Sequence, residues 1–239
     1  MLNMIKSELY KIKKNKIFYV CSCIVILPAL WVIYKDKILT TPPDDISNWI
    51  QSANVITSLF LSIASGFVIT FLIQREYEDK TIINVLSAPT SRSVFIFSKF
   101  TMWLLWYLLL LGISMAIYMI GGKLIYADRF GRYEIGLLFQ MIAKGRVLSF
   151  VASAPLLLIA ILQRKTFYPS IMCSLVFTGM ELFALMLPIR FGSMLPWPAA
   201  MLLGYGITGW YRIQAVIAVI ISGIAGIAGA CVVFQRQNQ

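Results

Sequence analysis

The chain has no histidine, and its ten acidic residues are outnumbered by 21 lysines and arginines. Without imidazole, a His-bound metal and His acid–base catalysis are unsupported. Charged residues are scarce, at 13% of the chain, where a soluble domain carries about 25%. Cys21, Cys23, Cys173 and Cys231 form no C-x-x-C pair, and all four fall in apolar runs. They read as small buried side chains, with no zinc site implied. No G-x-x-x-x-G-K-[ST] loop is present to cradle nucleotide phosphates. Nor is there a G-x-S-x-G, an H-E-x-x-H or a pair of intramembrane carboxylates. No catalytic residue can be assigned, no metal site either, and the chain does not read as an enzyme.

Hydrophobic residues fill the space, at 59% with a mean hydropathy of +0.81. This predicts an all-α integral membrane protein. Six transmembrane helices are expected over about 17–33, 55–73, 100–120, 147–162, 168–187 and 213–234. They leave little chain for a soluble unit, so residues 1–239 read as a single transmembrane domain. The net charge of +11 would suggest nucleic acid in a soluble protein. Here the bases cluster beside spans, so membrane lipids and orientation explain them instead. With the N-terminus inside, twelve Lys and Arg fall on the inner side and nine on the outer. Five of those nine lie in 123–146: Lys123, Arg129, Arg132, Lys144 and Arg146. The bias is weak; because the first span usually dominates orientation, both termini are expected in the cytoplasm.

Leu2, Ile5, Leu9 and Ile12 share one helical face within residues 1–16, with lysines elsewhere. This is either an amphipathic interfacial helix lying in the head groups or a basic tail that fixes orientation. Pro28 is expected to kink span one. The TPPDD run breaks the chain within an outer loop over 34–54, where Trp49 suits the membrane interface. Ser58, Ser62, Ala64, Ser65 and Gly66 give span two a face that permits close helix contact. A short interfacial helix is expected over 135–143, and Pro155 should interrupt span four. Residues 188–212 are rich in Gly, Pro and aromatics, with an apolar centre at 199–203 too short to cross. They read as a re-entrant or surface hairpin before span six. Ser222, Gly226 and Ala230 on span six serve either packing within one subunit or a dimer seam.

Residues 74–99 form a polar island between spans two and three. It holds Glu76, Glu78 and Asp79 with Arg75, Lys80, Arg92 and Lys99. Inside it, 81–86 is amphipathic through Ile82, Ile83, Val85 and Leu86; Pro89 stops it, and Ser91 can cap the next helix. The island is either a solvated turn or a small helix whose apolar side needs a protein partner.

This stretch resembles the permease subunits of type-2 ATP-binding-cassette exporters. The likeness rests on an acidic, Thr-containing patch after span two, then L-x-x-P-x-x-R, then a Lys opening span three. The matching residues are Glu76, Asp79, Lys80, Thr81, Leu86, Pro89, Arg92 and Lys99. In size and layout the chain is similar to permeases that export bacitracin or give self-immunity to lantibiotics. The resemblance implies that the island is a cytoplasmic coupling helix seated in an ATPase subunit, through Glu76, Asp79, Lys80, Thr81, Ile82, Ile83, Leu86, Pro89 and Arg92. It implies two copies of that ATPase, which would hold the ATP and Mg, with no cofactor in this chain. It also implies a second permease subunit, identical or related, and a multi-pass place in a bacterial cell membrane.

Glu181 is the acid placed inside a hydrocarbon span, where an unpaired charge costs roughly 3 kcal/mol or more. It should face a cavity, pair with a base or be protonated. It is therefore either part of a substrate path, contacting a cationic peptide, or a polar group in helix packing. Three functions follow: an ABC permease exporting an antimicrobial peptide, an ion-coupled secondary transporter, or a non-transporting membrane scaffold or sensor.

Overall fold

The break at TPPDD ends on a helix cap. The Asp45 carboxylate accepts the Ser47 N–H at 2.9 Å and the Ser47 hydroxyl at 2.7 Å, satisfying a donor that the first turn leaves unpaired. The computed structural model describes residues 9–10, 12, 15–78, 92–163 and 166–236. Most of the basic N-terminal segment, the stretch 79–91 and residues 164–165 lie outside them.

Among the described residues every regular element is a helix. Helix α1 spans Lys16–Tyr34, capped by the Asn15 side chain, and continues past Pro28 into a π-helical turn, Lys35–Leu39. Helix α2 spans Ile46–Glu78 and α3 spans Arg92–Tyr126. Helix α4, Arg132–Leu138, runs through a π-helical stretch, Phe139–Lys144, directly into α5, Gly145–Ala152. A turn at Ser153 and Ala154 separates α5 from α6, Pro155–Leu162, so Pro155 breaks this helix as expected. Helices α7, Tyr168–Phe183, α8, Ile189–Gly192, α9, Pro196–Gly204, and α10, Trp210–Arg236, complete the chain. Among the described residues, five stretches are long and apolar enough to cross a membrane: Lys16–Leu39, Ile46–Glu78, Val94–Arg129, Arg132–Leu162 and Trp210–Arg236.

Several expected boundaries move. Helix α2 starts at Ile46, not near 55, so the loop before it shrinks to 40–45. Hydropathy missed those turns because Asn48, Gln51 and Asn54 dilute them; the Asp45 cap begins the helix regardless. Residues 132–146 are not an outer loop with a separate surface helix, because they continue into α5. Trp49 is fully buried, not interfacial. It meets Tyr118, Tyr126 and Phe130 edge-on, with ring centroids 5.9–6.2 Å apart. Cys23 is exposed, contrary to the expectation of four buried thiols. Helix α7 stops at Phe183, short of residue 187.

Small residues decide the packing. Cβ atoms added at Gly223, Gly226 or Gly229 of α10 would meet Val151, the Ala154–Pro155 backbone and Leu158. The Ser222 hydroxyl donates to the Ala152 carbonyl at 2.9 Å. This face of α10 is thus taken up within the subunit by α5 and α6. Helix α9 is buried from Pro198 to Gly204. Trp197 stacks on Phe177 with centroids 3.9 Å apart, holding α9 to α7.

Candidate functional site

Among the described residues, two buried acid–base pairs organise the polar interior. The first lies where α2 ends and α3 begins. Lys99 Nζ donates to Glu76 Oε1 at 2.7 Å, and both side chains are almost wholly buried. The Lys99 ammonium also sits 5.2 Å from the centre of the Phe95 ring. Ile12, Phe18, Phe71, Leu72 and Arg75 surround the pair. Glu76 and Lys99 were both read from the polar island; the structure brings them together. Arg92 opens α3. Asp79, Lys80, Thr81, Ile82, Ile83, Leu86 and Pro89 fall outside the described residues.

The second pair lies at mid-bundle. Arg146 Nη1 donates to Glu181 Oε1 at 2.5 Å, and the Ser149 hydroxyl donates to the same oxygen at 2.5 Å. The Ser62 hydroxyl donates to Glu181 Oε2 at 3.3 Å. The Tyr107 hydroxyl donates to the Arg146 carbonyl at 2.9 Å, bringing α3 into the same centre. Of the options open to Glu181, pairing with a base is the one realised. Arg146 is fully buried, which corrects its placement in an outer loop. Counting basic residues treats each as a head-group neighbour, and cannot see a partner acid 35 positions away. Removing Arg146 from the outer set also strengthens the inward charge bias.

A polar seam joins the two levels along α2 and α7. The Gln74 amide donates to the Thr166 carbonyl at 3.0 Å. Thr70 and Ser170 share a hydroxyl–hydroxyl bond of 2.7 Å. Gly66 lies against Ser174, with no room for a Cβ between them. Ser62 then reaches Glu181. The repeat 62, 66, 70, 74 is one helix face, and such close approach needs small residues. The small-residue face was legible in the sequence; its partner helix was not.

Beyond mid-bundle, at the end opposite Glu76, a cavity of mixed character is lined by Asp44, Asp45, Ser47, Arg129 and Glu134 together with Ile46, Tyr133 and Leu137. Arg129 closes one wall by donating to the Asp44 carbonyl at 2.8 Å. The bonds from the Ser47 hydroxyl and N–H hold the Asp45 carboxyl below its ordinary pKa.

Long apolar helices enclosing such buried charged pairs define a multi-pass membrane protein. A family model described as ABC-2 family transporter protein matches residues 4–181, and the chain belongs to that family. It is a membrane-spanning permease of the ABC-transporter type. It is 21% identical over 173 residues to the bacitracin transport permease protein of Bacillus licheniformis. The alignment covers 72% of this chain and 82% of that relative.

Proposed function

We propose that this chain is the translocation subunit of an ABC exporter that removes an antimicrobial peptide from the bacterial cell membrane, conferring resistance or self-immunity. The family match over residues 4–181 carries the reading. The peptide substrate rests on the relative's name, a bacitracin transport permease. ATP and Mg act on a separate ATPase, present in two copies. A second permease, identical or related, completes the path, and both termini face the cytoplasm. Membrane lipids hold the basic N-terminal segment.

Six crossings are supported by the course of the chain. Phe18 packs on Phe71, and Phe95 stacks on Phe234, so the described chain begins and ends at the Glu76 end. Helix α10 runs alongside α5 and α6 in the same direction, pairing Ser222 with Ala152 and Gly229 with Leu158. The chain must therefore change ends between Leu162 and Trp210. Helix α7 makes most of that passage, covering about 24 Å at 1.5 Å per residue. The 188–209 segment, with buried α9, then acts as the re-entrant part.

The coupling role belongs to 79–91, with Glu76 and Arg92 at its stems. The Glu76–Lys99 bond supports this by tying those stems together. An ion-coupled mechanism draws less support, because Arg146 already matches the charge of Glu181.

The experiment is co-purification with the ATPase, using Ile83→Asp and Leu86→Asp, alongside resistance to bacitracin and to a lantibiotic. Loss of ATPase capture with normal membrane insertion is expected. Retained capture by both variants would refute the docking role. A cysteine replacing Asn84 should resist an outside-only thiol reagent in intact cells; labelling would reverse the topology.

A further inference from the structure

The mid-bundle centre is only partly satisfied by protein. Arg146 Nη1 is bonded to Glu181, but Arg146 Nε and Nη2 have no hydrogen-bond partner. The same holds for Ser58 Oγ, Ser114 Oγ and both ends of the Asn54 amide. All four residues are buried, at 0–1% exposure. Their positions in the helices bring them to neighbouring levels. Asn54, Ser58 and Ser62 follow one another at four-residue spacing on one face of α2, and Ser62 bonds the carboxylate that Arg146 bonds. Helix α3 runs antiparallel to α2, with Thr57 bonded to Tyr118 at 3.2 Å. Ser114, one turn from Tyr118, therefore lies near the level of Ser58 and Ser62.

A buried donor or acceptor without a partner costs about 1–3 kcal/mol, and more when charged. Protein interiors meet such groups with ordered water that makes two to four bonds each. The unmet groups comprise guanidinium N–H donors, two hydroxyls and an amide with both donor and acceptor capacity, a set that water, as donor and acceptor, can bridge. We propose that the subunit holds an internal cluster of ordered waters bounded by Asn54, Ser58, Ser114 and Arg146. It completes the hydrogen bonding of the Arg146 guanidinium from the side away from Glu181. The hydrated half of the centre faces the Trp49 end. The half toward Glu76 is closed by the direct protein bonds of the α2–α7 seam.

Radiolytic hydroxyl labelling of the full chain in lipid nanodiscs tests this, because radicals formed from bound water oxidise the side chains beside it. Tyr107, bonded to the Arg146 carbonyl, and Tyr118, bonded to Thr57 beside Ser58, are buried, whereas Phe67 is exposed. Tyr107 and Tyr118 should oxidise several-fold faster than Phe67. Oxidation equal to or slower than that of Phe67 would overturn the proposal. In Asn54→Leu/Ser58→Ala, labelling at both tyrosines should fall several-fold; unchanged labelling in the folded variant would also overturn it. The wild-type comparison stands alone if that variant does not fold.

Discussion

Lys99 and Glu76 meet at 2.7 Å with both side chains withdrawn from solvent, so one bond closes the two stems of the 79–91 stretch. Their separation of 23 residues spans most of the polar island. The bond fastens the end of α2 to the beginning of α3.

Lys99→Met should therefore destabilise the protein by about 3–5 kcal/mol, since it takes a bonded positive charge away from a buried carboxylate. Glu76→Leu/Lys99→Met removes both charges and should recover most of the loss. Thermal unfolding in detergent checks both. A double variant no better than the single one would mean that the pair adds nothing beyond packing.

The same logic applies to the central pair. Glu181→Gln leaves Arg146 buried against a neutral partner, and a loss of about 3–5 kcal/mol is expected. Arg146→Met/Glu181→Met should be more stable than either single change. Ser149→Ala, removing a bond to a charged oxygen, should cost about 1.5–3 kcal/mol. Ser62→Ala, whose bond is longer, should cost less. Resistance assayed at matched membrane abundance then isolates a transport role for Glu181, and a loss there is the expected result.

Much of the architecture could be read from residue order. Pro155 marked the break before α6, TPPDD marked the break before α2, and the span-two serines marked a tight helix contact. Other features resisted for stated physical reasons. Hydropathy cannot register an Asp45 cap that carries a helix through polar residues. Nor can it see that Trp49 turns inward onto Tyr118, Tyr126 and Phe130. Arg146 looked external because its compensating acid is distant in sequence. Glu76 and Lys99 stood out as island residues, but no spacing rule joined them.

Glycine positions give a paired test. Gly226→Ala would drive a Cβ into the Ala154–Pro155 backbone, which cannot swing aside as a side chain would. A loss of about 1–3 kcal/mol is expected. Gly112 has open space around its would-be Cβ, so Gly112→Ala should be neutral or stabilising by up to about 1 kcal/mol through helix propensity. Melting temperatures of the two variants should move apart.

Asp45 supplies a pH test. Its folded pKa is lowered by Ser47, so the cap is present above the ordinary carboxylate range and is lost as pH falls through the lowered value. Ser47→Ala should raise the Asp45 titration midpoint, as read by carboxyl NMR. An unmoved midpoint would remove Ser47 as the cause.

The α2–α7 seam has a mechanical corollary. Its rungs are hydroxyls, an amide and a glycine, spaced one turn apart. Sliding α7 by a single turn would set Gln74 beside Ser170 and Thr70 beside Ser174, exchanging like for like. The same slide would carry Glu181 away from Arg146, Ser149 and Ser62, so a single charged rung pins a seam whose other notches are chemically alike.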